Sequence, residues 1–74
     1  MTLKEVATEL KAMYDQAEVG EMVTMILLFG IRYADVIKAN GYSVQEIIAQ
    51  AGMRDSYATE VSKGVKLAKY VGFT

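Results

Sequence analysis

Cysteine, histidine and proline are all absent from the 74-residue chain. Without cysteine there can be no disulfide and no thiolate metal site. Without histidine the commonest general base, the usual zinc ligand and the side chain that titrates unaided near neutral pH are missing. Without proline, only the six glycines interrupt helical stretches. No glycine-rich phosphate loop is present, and Asp35 and Glu46 are the one carboxylate pair that could be imagined in acid–base work. The reading is therefore a non-enzyme with no catalytic residue, no metal and no cofactor.

Hydrophobic residues are plentiful, at 53% of the chain. The length suits one domain spanning residues 1–74. A domain this small buries only about 60% of its unfolded surface, so self-association is the expected stabiliser. The net charge is −1, which excludes a uniformly basic nucleic-acid binder, but the charge is uneven. Residues 1–21 carry Glu5, Glu9, Asp15, Glu18 and Glu21 against Lys4 and Lys11, whereas residues 54–74 carry Arg54, Lys63, Lys66 and Lys69 against Asp55 and Glu60. The two ends have different work to do. The most apolar run, Met22 to Ile31, is half the roughly 20 residues that a spanning helix needs. The N-terminus is amphipathic and of mixed charge, unlike a secretory signal. A cytoplasmic protein with no membrane partner is expected.

Periodicity places four helices. Thr2 and Glu5 form a capping box, followed by Leu3, Val6, Leu10, Met13 and Ala17 on one stripe with Ala7 and Tyr14 beside it. A second helix is expected from Glu21 to Ala39. Met22, Met25, Ile26, Phe29, Tyr33, Val36 and Ile37 share one face, while Leu28 and Ile31 fall on the other. A helix apolar nearly all round must be buried nearly all round, so Met22, Met25, Leu28, Phe29 and Ile31 are the expected dimer interface. Methionines there also suit ordinary core filling. Gly30 either admits a neighbouring helix or marks a kink. Asn40-Gly41 is a stop. The third helix starts at Ser43, with Glu46 as reciprocal partner and Tyr42 stapled to Ile47, and ends at Gly52. Asp55 or Ser56 caps the fourth, whose buried stripe is Ala58, Val61, Val65 and Ala68 and which fades near Val71-Gly72.

Two helices joined by a short glycine-containing turn make a helix-turn-helix. The stretch Ser43 to Val61 fits this, with small Ala51 where the helices touch, Gly52 at the turn and Met53 plugging the core. The run Ala51-Gly52-Met53-Arg54-Asp55-Ser56-Tyr57-Ala58-Thr59-Glu60-Val61 resembles the helix-turn-helix of bacterial repressors. The chain as a whole resembles short bacterial HTH-like proteins, through Leu28-Phe29-Gly30-Ile31-Arg32-Tyr33-Ala34 and the ending Thr59-Glu60-Val61 to Lys66-Leu67-Ala68-Lys69-Tyr70-Val71. The resemblance implies an all-α, four-helix domain with its helix-turn-helix within residues 43–71, and a last helix that enters a major groove.

The expected DNA-binding residues are Arg54, Ser56, Thr59, Lys63 and Lys66. On a helical wheel Ser56, Thr59, Lys63, Lys66 and Tyr70 share one exposed face, with hydroxyls early for base edges and lysines later for phosphates. The same lysines would equally complement the helix dipole with no ligand at all. Two functions follow. One is a homodimeric DNA-binding regulator. The other is a protein-interaction module that keeps the helix pair and binds no DNA. Phosphate-facing lysines favour the first; the acidic balance and the apolar second helix favour the second.

Overall fold

The computed structural model describes residues 1–71. Among them are five α-helices: α1 (Leu3–Gln16), α2 (Met22–Arg32), α3 (Ala34–Asn40), α4 (Val44–Ala51) and α5 (Ala58–Leu67), with a 3-10 turn at Asp55–Tyr57 leading into α5. Strands are absent among the described residues. Five helices replace the expected four because the segment from Glu21 to Ala39 divides at Tyr33, whose backbone sits at φ −104°, ψ 12°. The break is gentle. Tyr33 N–H still donates to the Phe29 carbonyl at 2.9 Å, and the Tyr33 carbonyl still accepts from Ile37 N–H at 2.9 Å. Beyond it, Ala34 and Ile37 of α3 are both buried. Sequence periodicity does not register such a break, because the apolar pattern runs through it.

Capping decides where α1 and α4 begin. Thr2 Oγ1 accepts from Glu5 N–H at 3.1 Å, and Thr2 N–H donates to Glu5 Oε1 at 2.8 Å. These contacts with Thr2 hold the Glu5 carboxyl below its ordinary pKa. Ser43 caps α4 by accepting from Glu46 N–H at 3.1 Å. The reciprocal half of that box is not formed. Tyr42 packs against the core and donates its hydroxyl to the Met1 carbonyl at 2.7 Å, which pins the start of the chain. Ser43→Ala should cost about 1 kcal/mol, and so lower the melting temperature by roughly 4–8 °C in a domain of this size. A calorimetric scan that shows no change would remove Ser43 from the account of α4.

The core joins Val6, Ala7 and Leu10 of α1 to Ile26 and Phe29 of α2, Ile37 of α3, Ile47 and Ile48 of α4, and Ala58 and Val61 of α5. α1 packs on α4 and on α2, while α2 packs most extensively on α5. That last contact turns on two glycines. A Cβ on Gly64 would meet the Leu27 carbonyl oxygen and lie 2.9 Å from the Gly30 Cα; a Cβ on Gly30 would meet the Val61 carbonyl oxygen and lie 3.0 Å from the Gly64 Cα. Gly30 therefore serves close approach, and the break in the helix lies three residues further on.

This packing changes the reading of the apolar second helix. Phe29 and Ile31, expected between subunits, are covered by the chain's own helices, at 0% and 8% exposure. Met22 is exposed, and Met25 and Leu28 are half-buried. No helix among the described residues is long and apolar enough to cross a membrane.

Candidate nucleic-acid interface

The joint between α4 and α5 starts at Gly52, whose left-handed φ of +70° ends α4. Gly52 N–H donates to the Ala49 carbonyl at 3.1 Å and Met53 N–H to the Ile48 carbonyl at 3.1 Å. This is the Schellman arrangement, which a residue with a Cβ adopts only with strain. Met53 and Ala51 are half-buried against the core, as a plug and a small contact residue should be.

The entry into the next helix departs from expectation. Neither Asp55 nor Ser56 caps α5; the chain passes through the 3-10 turn, and no side chain bonds the first N–H groups of either segment. Tyr57 N–H donates to the Arg54 carbonyl at 3.1 Å, closing the turn through backbone alone. Asp55 is exposed and free of that duty. The end of α5 also comes sooner, at Leu67, and the chain continues in turns through Tyr70. Of the expected fade near Val71-Gly72, Val71 is already outside the helix and Gly72 lies outside the described residues.

The five residues expected to meet DNA are all solvent-facing. Arg54 is exposed in the turn, Ser56 on the 3-10 segment, and Thr59, Lys63 and Lys66 along α5. The opposite side of α5 is closed by Ala58, Val61 and Gly64, all buried. Tyr70, predicted on the same face, is 75% exposed. The stripe is not purely cationic. Lys63 Nζ lies 3.5 Å from Glu60 Oε1, an exposed i,i+3 pair. Such a pair is worth about 0–1 kcal/mol, so phosphate can compete for the lysine.

Residues that the sequence placed beside buried stripes prove to share a site with the turn. Tyr14 of α1 and Tyr57 of the 3-10 segment bring their hydroxyls to 3.3 Å, with ring centroids 5.4 Å apart. Lys11 Nζ sits 5.4 Å from the Tyr14 ring centroid and pairs with Asp15 at 2.7 Å. Nothing in a helical wheel could bring together two tyrosines 43 positions apart.

The expected interface residues of α2 do not form one apolar sheet. Of them only Met22 is exposed; the other large exposed hydrophobic side chains among the described residues are Met1, Val19 and Val23, and Leu67, Tyr70 and Val71 near the end of α5. No group of histidine, cysteine or carboxylate side chains that could hold a metal occurs among the described residues.

An all-helical chain with one helix laid across another by a glycine turn, and with the second helix's outer face open, defines the helix-turn-helix class. A family model described as an HTH-like domain matches residues 2–74, and the chain belongs to that family. No curated protein and no solved structure is significantly similar to it.

Proposed function

We propose that this is a small cytoplasmic homodimer that binds double-stranded DNA through α5 and acts as a transcriptional regulator. One observation carries the reading: Thr59, Lys63 and Lys66 are all exposed on the outward side of α5, with Ser56 exposed on the 3-10 turn before it and Arg54 exposed in the preceding turn, while the inward side of α5 is locked to α2. Hydroxyls at the start of the helix suit base edges, and lysines further along suit phosphates. Four positive charges between residues 54 and 74 give a modest footprint, so two copies are needed for useful affinity. The test is a titration of duplex DNA at two salt concentrations. Binding that weakens with salt supports the reading, and none at low salt removes it.

Dimerisation is assigned to Met22, Met25 and Leu28, with Phe29 and Ile31 behind them as internal support. Leu28 is the informative position, because it is half-buried and outside the core cluster, whereas Ile31 is enclosed. Sedimentation should give a dimer at micromolar concentration, and Leu28→Glu should shift it toward monomer with helix content retained. A clean 8 kDa monomer for the wild type would contradict this.

A second reading is favoured by a separate observation. Val19, Met22, Val23 and Leu67 are exposed apolar side chains on a chain of net charge −1. They suit a module that holds a partner protein and leaves DNA alone. On that reading, wild type would pass a duplex-DNA column at low salt.

A further inference from the structure

We propose that the recess between the C-terminal half of α1 and the α4–α5 turn is a phosphate oxyanion site, in which Lys11, Arg54 and the Tyr14–Tyr57 hydroxyl pair receive one phosphate group. This deepens the DNA reading and in its first form rests on it: the phosphate is one of the duplex backbone, held beside α5 as α5 lies in the groove.

The recess measures about 400 Å³ and is lined by Lys11, Tyr14, Gly52, Met53, Arg54 and Tyr57. Two cations and two phenols face it, and no carboxylate does. Four other surface recesses each include carboxylates: Asp15, Asp35, Glu60, and Glu5 with Glu9. On a chain with more acids than bases, this concentration of donors with no carboxylate in the lining, and with Asp15 reaching only Lys11, favours an anion. The donor set suits phosphate in kind. Arginine offers a planar fork and lysine a mobile point charge.

The tyrosine pair adds directed hydrogen bonds. When one hydroxyl donates to the other across 3.3 Å, the acceptor's own proton has no partner among the described residues and is available to an oxyanion. The Tyr57 hydroxyl bond and the neighbouring phenol hold the Tyr14 hydroxyl above the ordinary phenol pKa, an effect that Lys11 and Arg54 only partly offset. Tyr14 therefore stays protonated and a donor at neutral pH. Asp15 holds Lys11 at 2.7 Å, but both side chains are about half-exposed. A surface i,i+4 pair of this kind yields readily to a stronger acceptor.

The position has a mechanical meaning. Arg54 is in the turn, Tyr57 is one residue before α5, and Tyr14 and Lys11 are on α1, which packs against α4. A phosphate in the recess would tie α1 to the start of α5 and fix the register of α5 on the duplex.

Lys11→Gln and Arg54→Gln are small changes, and Tyr57→Phe keeps the half-buried ring that packs against the core. Circular dichroism should confirm that each variant folds. Two probes are used: a duplex of random sequence, and inorganic phosphate titrated against chloride at constant ionic strength, read from the ring resonances of Tyr14 and Tyr57. Lys11→Gln and Arg54→Gln should each lower the salt slope of duplex binding by about one unit per half-site. Tyr57→Phe should weaken duplex binding about fivefold, the value of one hydrogen bond, with little change in slope. If wild type binds duplex and these variants bind it equally well, the recess proposal is overturned while the role of α5 stands. If wild type ignores duplex but phosphate shifts the tyrosine resonances in a Lys11-dependent way, the recess is a site for free phosphate and the DNA reading falls. If neither probe binds, both fall.

Discussion

Gly64→Ala is expected to destabilise the protein severely, although the same substitution inside a helix ordinarily stabilises. Alanine is favoured over glycine by about 1 kcal/mol in a helix interior, so an open site would show a rise in melting temperature. Gly64 is not open. Its missing Cβ is where the Leu27 carbonyl oxygen passes, and the Gly30 Cα lies 2.9 Å from the same point. Both obstacles are backbone and cannot move as a side-chain tip can, so α2 and α5 must separate. Separation loosens Phe29, Ile26 and Val61, all at 0% exposure. Overpacking commonly costs about 1–3 kcal/mol, and backbone obstruction places this site at the upper end or beyond. For a domain of this size that is a melting temperature lowered by about 10 °C or more. Gly30→Ala should behave alike, since a Cβ there meets the Val61 carbonyl oxygen. Because each glycine clears space for the other's helix, the double variant should be worse than either single one. Thermal unfolding followed by circular dichroism measures all three, and a stabilised Gly64→Ala would show that the two helices do not cross as described.

The glycine pair also shows what the sequence could and could not disclose. Local signals were legible because their causes are local. Thr2 and Ser43 cap the helices they precede, Gly41 and Gly52 end the helices they follow, and Ala58 and Val61 of the inward stripe of α5 are buried, with Val65 half-buried beside them. The exposure of Thr59, Lys63 and Lys66 was legible for the same reason: one helix's periodicity fixes which of its sides faces solvent. What failed depended on neighbours. Phe29 and Ile31 looked uncovered because nothing in the sequence shows that a glycine pair lets α5 close over α2. The break at Tyr33 leaves the apolar pattern uninterrupted and so shows no sign in the sequence. The missing side-chain cap on α5 follows from a 3-10 turn that Asp55 and Ser56 occupy without bonding its N–H groups. The meeting of Tyr14 with Tyr57 is purely tertiary.

The second large effect concerns α5 and carries the functional account. Lys63 and Lys66 project from its open side, and neither belongs to the core. Replacing both with alanine should leave the fold intact and remove two phosphate contacts from each subunit. The loss should be alike for every duplex sequence, since phosphates carry no base identity. Thr59→Ala should behave differently and alter sequence preference, because it sits where base edges are read. The decisive measurement is a titration of duplex DNA at two salt concentrations with wild type and the Lys63→Ala/Lys66→Ala protein side by side. The account predicts salt-dependent binding by the wild type and a salt slope smaller by about two units per subunit in the variant. Wild-type binding with a slope unchanged by the double substitution, or no wild-type binding at low salt, would contradict it.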